Sequence, residues 1–354
     1  MSPETPILYG FCFPHHGKYS SYARLLDYMP ECRVVRVEEA LPATAFRAGF
    51  KKVRSFFWLQ EWRIRRVANR YPQAVLHHIY SEATVQQGWL PQRGRYVLTA
   101  HQPPEGLEAT REQRAPFFRA AQRADAIIIL DASQAEDYAR VFGHDRLVAI
   151  PHGIDTDRFA PAATPCQRGS DAPLEVLTVG AWLRDWDQWH AVFRETVARL
   201  PNVRFTVLSR PEIVAELKER VGNDPRFNGL SGLSDDELLD LYRASDVLFL
   251  PLSGATANNA LLEAASCGLA VVCTDLSALR GYLFGTTGNC WYPAKEPATA
   301  ASYLQQLANS PAQCSFAGQQ NRQRMLDVFG WPVIAHRHLE VYRQVAEGTP
   351  FGSA

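Results

Sequence analysis

Glu263, Arg184, Arg210, His101 and the run Pro14-His-His-Gly-Lys-Tyr-Ser-Ser21 are the groups whose types and placement suit chemistry. Asn259–Ser266 reads as a helix opening directly after an apolar strand, Val247–Leu250, with Glu263 one turn in. The free N–H groups and positive dipole end of such a helix suit a nucleotide pyrophosphate. Thr256, Asn258 and Asn259, in the preceding turn, bring neutral hydrogen-bonding groups. Asn258 reads equally well as the helix N-cap. Arg184 follows the strand Glu175–Val179 and Gly180, and Arg210 ends the strand Arg204–Leu208. Either guanidinium suits a phosphate. The plainer alternative for Arg184 is a surface pair with Asp185 or Asp187. His101 follows the strand Tyr96–Leu98. Gly17 would permit close backbone approach to a ligand, with His15, His16 and Lys18 beside it. His77 and His78 end another strand, and one of them is expected in the core.

Other chemistries are disfavoured. No GxGxxG follows either leading strand: Gly10 precedes FCFPHHGKYSS and Gly180 precedes AWLRDWDQW. GxxxxGK[ST] is absent too, which sets aside nicotinamide dehydrogenases and P-loop NTPases. No His, Cys or Asp cluster has metal-ligand spacing. The seven cysteines are odd in number, scattered and without a CxxC, so they read as reduced small hydrophobes.

The elements that must position these groups follow from an alternation of short apolar runs and longer amphipathic stretches. Ile7–Phe11, Val75–Ile79, Tyr96–Leu98, Ala126–Leu130 and Leu147–Ile150 read as buried strands, with helical patterns at Tyr19–Met29 and Ala132–Phe142. Glu175–Val179, Arg204–Leu208, Val247–Leu250 and Ala270–Cys273 repeat the rhythm, with helices at Trp189–Leu200, Asp235–Ala244 and Asn259–Ser266. This is the pattern of βαβ units and parallel sheets. Pro161–Pro173 has linker composition and divides the chain into two α/β halves. Pro311–Val345 is helical by pattern, with Trp331-Pro332 starting a new helix. The length of 354 residues suits two domains. Lys+Arg and Asp+Glu are 37 each, which argues against a nucleic-acid binder. No apolar run approaches the ~20 residues of a spanning helix, and no signal-peptide pattern opens the chain.

Three ordered segments carry a resemblance: Ile150-Pro-His-Gly-Ile-Asp-Thr-Asp-Arg-Phe159, Leu177-Thr-Val-Gly180, and Asp246-Val-Leu-Phe-Leu-Pro-Leu-Ser253 continuing through Glu263-Ala-Ala-Ser-Cys-Gly-Leu-Ala-Val-Val272. Together with Ser231–Asp246 they resemble the retaining family-4 glycosyltransferases of the GT-B fold, most closely in the second half. The resemblance implies two doubly wound Rossmann-like domains facing a central cleft. An acceptor-side domain would span 1–155, a linker 156–173, a nucleotide-sugar domain 174–325, and a helix crossing back to the first domain 326–354. It implies transfer of a sugar, with retention, from a nucleotide-diphosphate sugar (a UDP- or GDP-sugar) to a hydroxyl acceptor, without a metal or other cofactor. The setting would be polysaccharide, lipopolysaccharide or glycolipid assembly.

Carried over by position, Glu263 would hold the donor's ribose hydroxyls, and His101 would contact the transferred sugar. His16, Gly17 and Lys18 would form the loop approaching donor phosphate and acceptor, and His152 would fix a hinge loop. The sequence departs from the family twice. The first of the family's two motif glutamates is replaced by Ala255, so Asn258 or Asn259 is expected to take over part of the sugar contact. The Arg and Lys usual after Gly180 are replaced by Ala181 and Trp186, which leaves Arg184 and Arg210 as the nearest cations for the leaving diphosphate. Two rivals follow: an epimerase or hydrolase on the same fold, with Glu82, Glu105 and Asp131 as candidate acids, or a non-catalytic partner subunit.

Residues 46–71 carry eight basic residues, seven aromatics and one acid, Glu61. A basic, aromatic helix suits an anionic membrane surface; its alternative is a helix packing its aromatics on the sheet. The expected setting is cytoplasmic, peripheral on the inner face of the membrane.

Overall fold

The computed structural model describes residues 7–10, 19, 21–36, 61–62, 64–66, 68–85, 87–89, 94–162 and 172–348. It forms two compact units, one of Met1–Gly17, Ser21–Gly153 and Trp331–Ala354, the other of Lys18–Ser20 and Ile154–Gly330.

The first unit is built on a parallel sheet of β1 (Ile7–Gly10), β2 (Arg33–Arg36), β3 (Val75–His78), β4 (Arg95–Ala100), β5 (Ala126–Ile129) and β6 (Leu147–Ala149), in the order β2-β1-β3-β4-β5-β6. The runs Val75–His78 and Ala126–Ile129 are buried at every position, as continuous apolar strands covered on both faces must be. Strand order reverses between β1 and β3, and ligands of open α/β sheets bind at such a reversal, outside the strands' carboxyl ends. The helix expected over Tyr19–Met29 is a 3-10 helix, Tyr22–Tyr28, whose N-cap Ser21 accepts from the Ala23 amide. Helix Trp331–Glu347 belongs to this unit and packs on that 3-10 helix and on β3. Gly153 makes room for it: a Cβ there would meet the Trp331 ring at 2.4 Å.

The second unit holds β7 (Leu174–Val179), β8 (Val203–Leu208), β9 (Phe227–Leu230), β10 (Val247–Leu250), β11 (Ala270–Thr274) and β12 (Cys290–Tyr292), all parallel, in the order β12-β11-β10-β7-β8-β9. This is the dinucleotide-fold order, with its reversal between β7 and β10. Three of its helices begin at side-chain caps. Asp185 caps Trp186–Arg199, Ser234 and Glu237 form a capping box on Asp235–Arg243, and Asn258 caps Asn259–Ser266.

The chain leaves the first unit after Gly153 and re-enters it at Trp331. Phe159, inside the expected linker 156–173, instead packs in the second unit's core with Tyr242 and Leu261. A large apolar ring beside an apolar core buries itself, and the linker composition begins only at Pro161. Residues 163–171 lie outside the described residues.

Candidate functional site

In the second unit the reversal point is lined by the turn after β7 and the turn after β10. These turns are fastened to each other. Asp185 donates its amide to the Pro251 carbonyl at 2.9 Å, Ser253 donates to the Leu183 carbonyl at 3.0 Å, and Arg184 bridges to Leu252. Thr274, at the end of β11, accepts from the Leu252 amide at 2.9 Å and donates to Gln188 at 3.0 Å. Leu183 holds φ at 56°, a conformation that favours glycine, so the rest of the turn must hold it there.

The Arg184 guanidinium lies in this turn. Nε and Nη2 donate to the Val179 carbonyl at 3.0 and 2.5 Å, and Nη1 donates to the Trp182 carbonyl at 3.1 Å. The plainer alternative, a pair with Asp185 or Asp187, is not found. Asp185 accepts from the Gln188 amide, and Asp187 pairs with Arg220 at 2.8 Å. Among the described residues Arg184 has no carboxylate partner. Burial pushes its pKa down to about 10, which leaves it charged at neutral pH. A half-buried cation with no counter-ion among the described residues, at the carboxyl end of a parallel sheet, is arranged to receive an anion. Gly180 lies beneath it at φ 98°, its amide on the Leu208 carbonyl and its own carbonyl accepting from Ser209 Oγ at 2.9 Å.

On the other side of the reversal, helix Asn259–Ser266 begins at Asn258, whose Oδ1 accepts from the Leu261 amide at 3.1 Å. Asn258 is therefore the N-cap, the alternative that the sequence left open for it, and Asn259 is half-buried beside it. Thr256 and Ala255 are buried, Ala255 in the apolar core. Glu263 is 3% exposed and accepts from the Tyr242 hydroxyl at 2.7 Å. Burial first, then the adjacent Glu263 charge, hold the Tyr242 phenol well above its usual pKa, so it stays a donor. Tyr242 was not singled out in the sequence, since it lies 21 residues from Glu263 and only the fold joins them. Trp182, 56% exposed beside Arg184, carries no signal in the sequence either. Arg210 stands exposed at the start of helix Pro211–Val221; its carbonyl accepts from the Ile213 and Val214 amides, and its guanidinium has no hydrogen bond or ion pair among the described residues.

In the first unit, His101 follows β4 at the sheet's carboxyl end. Its Nε2 donates to the Ile79 carbonyl at 2.7 Å, and its ring stacks on Tyr80 at 4.7 Å. Burial lowers its pKa, opposed by the Glu82 charge, so it stands as a neutral imidazole. The Glu82 carboxylate accepts from the amides of His101 and Gln102. Asp131 is used as a cap, accepting from the Ser133 amide. His152 is buried, donates from Nδ1 to the Gly153 carbonyl at 2.7 Å, and packs against Tyr22 and Trp331. Both His77 and His78 are core residues, at 0% and 2% exposure. His15, His16, Gly17 and Lys18 lie outside the described residues, as do residues 46–60. Of the basic stretch, Glu61 is buried and accepts from the Gln87 and Trp89 amides at 2.7 and 2.8 Å, whereas Trp62 is 45% exposed under Arg66. Among the described residues no group of three His, Cys, Asp or Glu is placed to hold a metal ion, and no helix is long and apolar enough to cross a membrane.

Residues 28–158 match the family described as Glycosyltransferase Family 4, and residues 173–310 match Glycosyl transferases group 1. A D-inositol 3-phosphate glycosyltransferase of Kineococcus radiotolerans is 24% identical over 324 residues, covering 83% of this chain and 72% of that protein. A glycogen synthase of Mycobacterium tuberculosis is 26% identical over 242 residues, 64% of this chain and 56% of that one. Among solved structures, a sucrose-phosphate synthase from Thermosynechococcus elongatus superposes with TM-score 0.72 at 16% identity, covering 97% of this chain and all of that one (100%). Anabaena HepE in complex with UDP-glucose superposes with TM-score 0.72 at 14% identity, covering 96% and 99%.

Proposed function

The chain belongs to the group 1 and family 4 glycosyltransferases and has their GT-B fold, and from that premise we propose that it transfers a sugar from a UDP- or GDP-sugar to a hydroxyl acceptor with retention of configuration. The observation that carries this reading is Arg184, a half-buried cation at the β7/β10 reversal that has no carboxylate partner among the described residues.

The donor's diphosphate is held there by Arg184 and by the first amides of helix Asn259–Ser266, with Arg210 reaching from the end of β8. Glu263, fixed by Tyr242, takes the ribose hydroxyls, and Asn259 and Thr256 lie toward the sugar. The acceptor is bound by the first unit, where His101, neutral and fixed by Ile79, contacts the transferred sugar. The acceptor oxygen attacks the anomeric carbon from the face that the diphosphate leaves. As the bond from that carbon to the phosphate oxygen breaks, the acceptor's proton passes to the departing phosphate. Charge builds on that phosphate, and a preorganised guanidinium stabilises it without reorganisation. Arg184 supplies the charge that a metal ion would otherwise supply, so the reaction is read as metal-independent. The UDP-glucose complex of HepE supports a uridine donor. The basic, aromatic residues 46–71, with Trp62 and Arg66 exposed, support contact with an anionic membrane surface on the cytoplasmic side and hence a lipid or polysaccharide pathway.

The reading is tested by incubating the full chain with UDP-, GDP-, ADP- and dTDP-sugars and a panel of sugar and polyol acceptors, with and without a chelator. Acceptor-dependent, chelator-insensitive release of one nucleoside diphosphate, with the donor's anomeric configuration in the product, is expected. Release abolished by the chelator, or an inverted product, would overturn the mechanism.

A further inference from the structure

Glu82 is a carboxylate that the reaction above does not use. It stands in the short helix Ser81–Thr84, which follows β3 at the sheet's carboxyl end, on one side of the β1/β3 reversal in the first unit. It is 7% exposed. One oxygen, Oε1, accepts from two backbone amides, those of His101 and Gln102, the latter at 2.9 Å. The other, Oε2, makes no hydrogen bond and no ion pair among the described residues. Arg114, the cation that touches Glu82, donates instead to its backbone carbonyl, at 2.8 Å.

The polar groups around it are committed elsewhere. The Tyr80 hydroxyl lies 3.1 Å from Ser21 Oγ and accepts from the Tyr22 amide at 2.8 Å. Tyr138 donates to the Gln102 carbonyl at 2.8 Å, and the His101 ring donates to Ile79. The side chain is nine-tenths buried, yet Oε2 is not one of the atoms closed off without a partner, so it keeps an opening to solvent through which a ligand group can reach it. The place is one where open parallel sheets bind ligands. A carboxylate oxygen only accepts, so the ligand group that completes Oε2 must donate, and it must not carry negative charge.

We infer that Glu82 Oε2 receives a hydroxyl of the acceptor and that the first unit selects an uncharged polyhydroxyl acceptor over its phosphorylated counterpart. The inference rests on the glycosyltransferase reading and specifies its acceptor. It sets this chain apart from relatives whose name states an inositol phosphate. Glu82 also holds the His101 and Gln102 amides, so one side chain orients the proposed sugar-contacting histidine and reads the acceptor.

The test uses the full chain with UDP present and two acceptor pairs, myo-inositol against D-myo-inositol 3-phosphate, and glucose against glucose 6-phosphate, titrated calorimetrically. The neutral member of at least one pair should bind at least tenfold more tightly than its phosphate ester. Glu82→Gln keeps an oxygen for the two amides but removes the charge and turns the second position into a donor, and should narrow that ratio to threefold or less. Tighter binding of the phosphorylated member, a ratio unchanged in Glu82→Gln, or binding of neither member of either pair would overturn the inference. If Glu82→Gln does not fold, the wild-type ratio decides, and a value below tenfold overturns it. Thermal stabilisation by UDP is recorded on the same samples. Its absence alongside selective acceptor binding would mark a failure of the donor reading and not of this one.

Discussion

Gly180 makes room for Arg184: a Cβ at position 180 would stand 2.9 Å from Arg184 Nη2 and 3.4 Å from Cζ. The backbone at 180 also holds φ at 98°, so glycine is required both for the turn after β7 and for the guanidinium lying across it. Gly180→Ala should therefore cost about 1–2 kcal/mol of stability through the backbone alone. It should also push the guanidinium away from the Val179 carbonyl. Nucleoside diphosphate affinity, measured by calorimetry, should fall at least tenfold in Gly180→Ala and in Arg184→Ala, with the Arg184 variant showing no backbone penalty in its unfolding. Unaltered affinity in both would remove Arg184 from the site.

Glu263 and Tyr242 form a pair buried in the second unit. Removing the hydroxyl in Tyr242→Phe leaves the carboxylate one donor short, at a cost of about 1–3 kcal/mol in denaturant unfolding. Glu263→Ala strands the phenol and should cost a similar amount. The two should differ in function. Glu263→Ala should weaken nucleotide binding by tenfold or more, because the ribose contact goes, whereas Tyr242→Phe keeps the carboxylate and should lose less. Equal losses would mean that Glu263 serves only as the partner of Tyr242.

The first unit carries several buried imidazoles that lower its stability in acid, the stacked pair His77 and His338 among them. His77 lies 2.6 Å from the Tyr342 hydroxyl and 2.7 Å from Thr99 Oγ1, and its ring stacks on His338 at 5.8 Å. His338 donates from Nδ1 to the Ile334 carbonyl at 2.8 Å, so its Nε2 accepts from Tyr22 at 2.8 Å. Burial pushes both imidazoles below their ordinary pKa, that of His338 to about 4. The folded state thus binds fewer protons than the unfolded chain between about pH 6.5 and pH 4, and its stability falls as the pH drops through that window. His338 alone contributes a loss on the order of 2 kcal/mol between pH 6.5 and pH 5. Urea unfolding at pH 7 and pH 5 should show the drop, and His338→Gln should flatten it. An identical slope in the variant would contradict the assignment.

Gly318, in helix Pro311–Arg324, touches the turn that ends helix Asn259–Ser266: a Cβ would meet the Gly268 carbonyl oxygen at 1.8 Å. Both contacting atoms are backbone, so nothing can swing aside. Gly318→Ala should destabilise the second unit by about 3 kcal/mol or more. Gly281, with nothing within 4 Å of its Cβ position and an ordinary helical φ of −59°, is the control, and its alanine variant should be neutral or slightly stabilised. Thermal melts of the two variants suffice.

The sequence made some of this legible and hid the rest for physical reasons. β3, β5 and β10 were readable because a strand covered on both faces must be a continuous apolar run. The edge strand β12, three residues long, and β9, which contains Gly229, carry too little pattern to be seen. The stretch at Tyr19–Met29 has helical periodicity, yet only Tyr22–Tyr28 coils, and as a 3-10 helix. Helix Asn259–Ser266 was readable to the residue, because a strand, a turn and an Asn cap mark its start. The partners of Arg184 were not, because they are carbonyls of the chain's own turn, and a guanidinium's choice between a carbonyl and a neighbouring aspartate is settled only by the fold. The pairings of Glu263 with Tyr242 and of Glu82 with the His101 and Gln102 amides were hidden for the same reason.

The central claim, that the β7/β10 reversal holds a nucleoside diphosphate sugar, is tested most directly by thermal unfolding of the full chain against UDP-, GDP-, ADP- and dTDP-sugars. A ligand at 100 times its Kd adds about 2.7 kcal/mol to the state that binds it. At about 2–4 °C per kcal/mol for a unit of this size, the transition should rise by roughly 5–10 °C with the true donor. A rise of that size with a UDP- or GDP-sugar, and little with the others, is the predicted result. No rise with any of the four would contradict the account.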